Sequence, residues 1–234
     1  MEKFSKEIDF SEGYILAVDK PYEWTSSDVV RKIRILLNKL GYKKIKVGHA
    51  GTLDPLATGL LLICIGKATK RAESLQNEQK EYIADIRLGA TTPSYDLEHP
   101  IDATYPISHI TQKIIEETLA GFIGEQEQLP PIYSAKSIDG KRAYEYARAG
   151  KEIELRPSLI SYYELFLEKC NLPDITVRIK CSKGTYIRSF ARDLGEKLHS
   201  GGHLTALRRT QSGIYRVEDA YTIKEIENIL HNTK

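Results

Sequence analysis

The chain has 234 residues, 41% of them hydrophobic and 28% charged, with a formal net charge of +2. That is the composition of an ordinary soluble globular protein, long enough for one large or two small domains and a substantial core. No apolar run approaches the roughly 20 residues that cross a membrane, and the charged stretch from Met1 to Glu7 lacks the apolar core of a signal peptide. Three widely spaced cysteines, Cys64, Cys170 and Cys181, argue against a disulfide framework and fit a reducing cytoplasm. There is no Cys-x-x-Cys and no zinc-like histidine spacing, so no structural metal is expected. The small net charge does not demand a nucleic-acid partner, although a basic groove can hide inside a near-neutral total.

Gly13 to Val18 is apolar and β-branched and predicts a strand ending in the turn Asp19-Lys20-Pro21. Trp24 to Asp28 offers helix N-caps. Val29, Val30, Ile33, Leu36, Leu37 and Leu40 then recur at helical spacing, and Gly41 closes the helix. Lys43, Lys44 and Lys46 lead into a Gly-rich, turn-prone stretch, and a basic run placed there suggests an anionic substrate. Within it Pro55 fixes its own φ and biases Asp54 away from helical geometry. Leu60 to Ile65 follows as a buried strand. A carboxylate held in such a turn beside an apolar strand is a candidate nucleophile. The competing reading is an ordinary Asp-Pro turn.

Further along, a short helix is expected over Arg71 to Gln76. A strand follows over Lys80 to Gly89, with Tyr82, Ala84, Ile86 and Leu88 on one face. Ala90 to Tyr105 is polar and proline-punctuated and predicts a long loop. Ile110, Ile114, Ile115, Leu119 and Phe122 mark an amphipathic helix, Pro130 to Ser137 an extended segment, Asp139-Gly140 a hairpin turn, and Lys141 to Ala149 a helix. Leu159 to Cys170 and Asp174 to Cys181 predict paired strands. Ser182 to Thr185 opens a helix through Leu198, His203 to Thr210 and Ile214 to Val217 are strands, and Thr222 to Glu225 is a capping box for a last helix. The pattern is α+β, with a mixed, largely antiparallel central sheet flanked by helices and loops, in a single domain over 1–234.

Gly48-His49-Ala50-Gly51-Thr52-Leu53-Asp54-Pro55-Leu56-Ala57-Thr58-Gly59 closely resembles the signature of the TruB family of tRNA pseudouridine synthases. Other blocks agree in type and order. They are Asp19-Lys20-Pro21 with Thr25-Ser26-Ser27, Lys80-Glu81-Tyr82 with Arg87-Leu88-Gly89, Gln128 to Lys136 with Tyr144 to Arg148, Cys181 to Ser189, and His203 with Leu207-Arg208-Arg209. The match runs from about Gly13 to Tyr221.

The resemblance implies the pseudouridine synthase fold and an isomerase that converts uridine 55 in the T arm of tRNA to pseudouridine. The N-glycosidic bond breaks, the uracil rotates, and it rejoins through carbon 5, with no metal or organic cofactor. A stacked base exposes no face to a nucleophile, so the target is flipped into a pocket. Asp54 is the matching carboxylate. It attacks the ribose or the ring, or takes a proton in a glycal route; these stay open. Arg188 matches the cation that keeps it ionised. Tyr82 matches the active-site tyrosine that stacks on the uracil or takes the carbon-5 proton. Tyr186 and Leu207 match pocket-lining positions, His49 a contact to the extruded loop, and Lys20 a phosphate contact. Arg208 and Arg209 are further candidates for phosphates. The expected partner is tRNA through its T-arm stem-loop, with no membrane, no obligate protein partner and a monomeric state.

Two departures stand out. Many members continue into a C-terminal RNA-binding domain of the PUA type, for which this sequence leaves no room. The family's acidic block after the tyrosine strand reads Thr91-Thr92-Pro93-Ser94-Tyr95-Asp96, which leaves Asp96 without an assigned role. The alternatives are a non-catalytic tRNA chaperone, a guide-RNA-dependent synthase and an aspartate-nucleophile hydrolase.

Overall fold

A computed structural model describes residues 3–133, 137–138, 141–142 and 155–231. In chain order the first elements are β1 (Tyr14–Lys20), α1 (Ser26–Lys39), β2 (Val47–Ala50), β3 (Ala57–Ile65), a 3-10 turn (Gly66–Arg71), α2 (Ala72–Asn77) and β4 (Lys80–Leu88). Next come β5 (Ala90–Thr91), β6 (Ala103–Thr104), α3 (Gln112–Ala120), β7 (Gly124–Gln128), β8 (Ser137–Ile138) and β9 (Lys141–Arg142). The last are β10 (Ser158–Asn171), β11 (Asp174–Cys181), α4 (Ile187–Lys197), β12 (Gly202–Ser212), β13 (Tyr215–Arg216) and α5 (Ile223–His231). The class is α+β, and the large sheet has nine strands in the order β1-β3-β12-β4-β11-β10-β7, with β2 on β3 and β13 on β12. Every pairing whose register is described in this sheet is antiparallel.

The chain forms two compact units, Met1–Tyr82 with Arg208–Lys234, and Ile83–Leu207. Strands β4 and β12 each begin in one unit and finish in the other. In the first unit β3 is central. It pairs with β1 from Tyr14↔Ile65 to Lys20↔Gly59, and its later half pairs with β2 from Val47↔Ile65 to Ala50↔Leu62. Leu60 to Ile65 are all at most 1% exposed, as an unbroken apolar run should be when both faces are covered. Each such side chain contributes about 1.5–3 kcal/mol by its burial. Helix α1 starts where its chemistry dictates: Thr25 and Asp28 form a reciprocal capping box. Gly41, at φ +94°, ends it in the left-handed region. Thr222 and Glu225 repeat the box for α5, with Thr222 N–H donating to Glu225 Oε2 at 2.7 Å.

In the second unit β10 and β11 pair from Asn171↔Asp174 to Tyr162↔Cys181, with irregularities after Tyr162 and Leu167. Arg87 clasps Asp174 with two hydrogen bonds of 2.8 and 2.9 Å. Phe122, Tyr162 and Phe190 form an aromatic cluster with centroids 5.3 to 6.0 Å apart.

The expected elements differ from the structure in several places. The Gly-rich stretch contains a strand, β2, because Val47 to Ala50 finds a partner in the end of β3. The strand β1 continues through Asp19 and Lys20, expected as a turn, because β3 supplies partners out to Gly59. The long loop after β4 is cinched by the two-residue ladder β5–β6. β7, absent from the sequence reading, is polar, and only pairing with β10 makes it a strand. Lys141 and Arg142 belong to a strand, not a helix. The turn at Asp139-Gly140, residues 134–136 and the rest of that expected helix lie outside the described residues.

Candidate active site

Asp54 sits half-buried at the head of β3 in the first unit. Its carbonyl accepts from Ala57 N–H at 3.1 Å, so the chain turns at Asp54 to Ala57 and runs straight into the buried strand. Three buried side chains pin this turn through its backbone. Ser26, the first residue of α1, accepts from Leu53 N–H at 2.9 Å and donates to Leu53 O at 3.1 Å. Lys20, with no exposed surface, donates to the carbonyls of Pro21 (3.0 Å), Trp24 (2.6 Å) and Pro55 (3.2 Å). Arg209, 1% exposed, donates from Nε to Leu60 O at 2.7 Å and from Nη2 to Gly51 O at 3.3 Å. Gly51 and Leu60 bracket Asp54, so one guanidinium ties both flanks of the turn. Gly59, at φ +98°, is required here: a Cβ would lie 2.3 Å from Arg209 O.

The charges of this turn are coupled. Burial pulls the Lys20 ammonium down to about 8, against the opposing pull of the Asp54 carboxylate; Arg209 adds to the lowering. Burial, then Arg209, also lowers the His49 imidazole below its usual value. His49 is therefore a neutral ring near pH 7, suited to stacking or hydrogen bonding and not to charge contact with phosphate. The first unit thus sets Lys20 within the electrostatic reach of both Asp54 and Arg209, and His49 within that of Arg209. Lys20 and Arg209, expected at phosphates, have their donors directed at backbone carbonyls, because a buried cation must satisfy its protons inside the protein. Arg208 likewise holds Asp19 with two bonds of 3.0 and 2.7 Å. Tyr82 is 8% exposed on β4.

In the second unit Tyr186 and Arg188 stand at the start of α4 and Leu207 is half-buried on β12. The Gln128 side chain accepts from Tyr186 N–H at 2.8 Å and donates to Tyr186 O at 3.1 Å, fixing the helix start. Arg188, 4% exposed, donates to Tyr133 O at 2.9 Å and Ser94 O at 3.4 Å, and its Nε is 3.7 Å from the buried Asp96 carboxylate. Asp96 in turn accepts from Glu98 N–H at 3.0 Å. The altered acidic block therefore supplies a carboxylate to Arg188. Ser26, Gln128 and Asp96 are the positions that sequence reasoning passed over as site residues. Two of them lie inside the matched blocks, and Asp96 lies in the altered one.

Among the described residues no group of three His, Cys, Asp or Glu side chains could hold a metal ion. Among the described residues, too, no helix is long and apolar enough to cross a membrane.

Residues 38–187 match the model of the TruB family pseudouridylate synthase N-terminal domain, and residues 188–234 match that of the tRNA pseudouridylate synthase B C-terminal domain. A protein named tRNA pseudouridine synthase B from Phocaeicola vulgatus is 58% identical over 218 residues, covering 93% of this chain and 93% of the relative. The protein of the same name from Flavobacterium johnsoniae is 51% identical over 224 residues, covering 95% and 98%. Among solved structures, a chain of the archaeal box H/ACA sRNP Nop10–Cbf5 complex is 25% identical with a TM-score of 0.70, covering 98% of this chain. This chain spans 57% of that one. A chain of an H/ACA RNP bound to a substrate RNA containing 2'-deoxyuridine is 27% identical with a TM-score of 0.69, covering 95% of this chain and 55% of that one. The same pseudouridine synthase fold, the two family models and the extent of identity agree: the chain belongs to the TruB family of pseudouridylate synthases.

Proposed function

We propose that this protein is a tRNA pseudouridine synthase that isomerises uridine 55 of the T arm, with Asp54 as its nucleophile. The bond from ribose C1' to uracil N1 breaks and a bond from C1' to C5 forms; the C5 proton leaves and N1 gains one, so nothing is consumed. One observation carries the reading: Asp54 occupies a turn that Ser26, Lys20 and Arg209 fix from three sides, the preorganisation a reacting carboxylate needs. The names of the relatives support the substrate class. The target base is flipped out of its stack, at a cost of a few kcal/mol, before the carboxylate can reach it.

In this reading Asp54, Tyr82 and Arg188 carry the reaction, Tyr82 by stacking on the uracil or by taking the C5 proton. His49, Tyr186 and Leu207 contact the flipped nucleotide. Lys20 serves the turn and not a phosphate. No cofactor takes part, the whole chain acts as one catalytic domain, and tRNA is the only partner required. The test is incubation of the protein with an unmodified tRNA transcript in EDTA, with pseudouridine mapped by sequencing. Pseudouridine at position 55 from the native protein and none from Asp54→Asn is the expected result. Activity that needs a metal, or that survives Asp54→Asn, overturns the reading.

A further inference from the structure

Lys43, Lys44 and Lys46 adjoin the Asp54 stretch in sequence but not in space. Val47 pairs with Ile65, the last residue of β3, and Gly66 N–H donates to Lys46 O at 2.8 Å. The Asp54 turn opens the other end of the same nine-residue strand. At about 3.4 Å per residue, the two ends are roughly 27 Å apart. At the far end lies a cleft of about 520 Å³, lined in part by Lys43, Lys44, Lys46, Lys67 and Lys70, with no acidic residue in its lining. The first three come from the loop after α1 and the last two from the 3-10 turn after β3, so folding concentrates charge that the sequence distributes. All five are exposed. Among the described residues only Lys67 of the five meets a carboxylate, that of Glu12 at 2.8 Å.

The cleft has a defined backbone. Gly41 at φ +94° and Lys44 at φ +65° both take left-handed conformations, and Lys43 N–H donates to Gly41 O at 2.8 Å. Among the described residues its one aromatic ring is Tyr42, which is already engaged: the hydroxyl donates to Ile8 O at 3.1 Å and the ring packs edge-on against Phe10, 5.4 Å between centroids. A cleft of lysines without a stacking platform suits phosphates and not bases.

We propose that this cleft binds the phosphodiester backbone of RNA lying outside the stem-loop on which the Asp54 turn acts, so that the enzyme favours a whole tRNA over an isolated T arm. The inference rests on the proposed activity on tRNA. Its separation from the reacting carboxylate makes it a docking surface, independent of the flipped base.

The experiment compares the native protein with the combined variant Lys43→Gln, Lys44→Gln, Lys46→Gln and Lys70→Gln on two unmodified substrates, a tRNA transcript and a T-arm stem-loop. The expected result is a fall of about tenfold in kcat/KM on tRNA near 0.1 M salt, with the stem-loop rate unchanged, and a slope of log affinity against log salt that flattens by about 2–3 for tRNA alone. Equal losses on both substrates, or no loss on either, overturn the proposal. Binding is measured in parallel with Asp54→Asn as the background. If the chain proves inactive, the difference in tRNA affinity and salt slope still decides the cleft, and the two readings fail separately.

Discussion

The two ends of β3 use cations in opposite ways. At the Asp54 end Lys20 and Arg209 are buried, and the donors described for each go to backbone carbonyls. At the other end five lysines stand in water around an open cleft. Removing a charge from water is costly unless its protons are satisfied, so the buried pair is confined to one geometry and can hold a turn in place. Apart from Lys67, which Glu12 holds, the exposed lysines keep their rotamer freedom and hydration; they attract an anion from a distance but fix nothing. Position and attraction are thus divided between two sites on one strand.

That division can be broken from either side. The largest effect belongs to Asp54→Asn, which should lower single-turnover pseudouridine formation at least about 10³-fold while tRNA affinity stays within about twofold. A variant that loses binding instead would make the carboxylate end a docking element. Next, Arg209→Met should destabilise the protein by about 2–4 kcal/mol in urea unfolding, because the carbonyls of Gly51 and Leu60 lose a buried charged donor. A loss below about 0.5 kcal/mol would mean that the turn does not depend on it.

The third effect is a pH dependence. Lys20 titrates near 8 in the folded protein and near 10.5 when unfolded. Between those values the unfolded chain binds more protons, so stability should rise with pH, by on the order of 1–3 kcal/mol, and be flat in this respect below pH 8. Lys20→Met should remove the rise in unfolding experiments run from pH 7 to 10. The smallest effect on the fold belongs to the four-lysine variant. Its stability should change by less than about 0.5 kcal/mol even as tRNA affinity falls about tenfold. A large loss of stability there would erase the contrast between the two ends.

Much of this architecture is legible along the chain. The N-cap within Trp24 to Asp28, the capping box at Thr222, the closing Gly41, the apolar run Leu60 to Ile65 and the alternation of Tyr82, Ala84, Ile86 and Leu88 all appear where the residues place them. So does the hairpin of β10 and β11. The Asp-Pro turn in its Gly-rich setting marked Asp54 as the residue to watch. Each of these signals is written within a few neighbouring residues, because caps, turns and periodic stripes are local chemistry.

What the sequence could not reveal is which charges are buried. Lys20 and Arg209 read as surface cations, yet Lys20 reaches Pro55 across 35 positions and Arg209 reaches Gly51 across 158. Asp96 looked like a broken motif until folding set it beside Arg188. Lys43 to Lys46, next to the Asp54 stretch in sequence, end a strand's length away from Asp54, and they meet Lys67 and Lys70 only because β2 and β3 pair. The sequence by itself determined most of the elements, the turn and the family; β2, β7 and the β5–β6 ladder took long-range pairing to appear. The tertiary structure alone decided which cations brace the turn and which remain in water, because burial is a property of strand register and long-range pairing, and no local pattern encodes it.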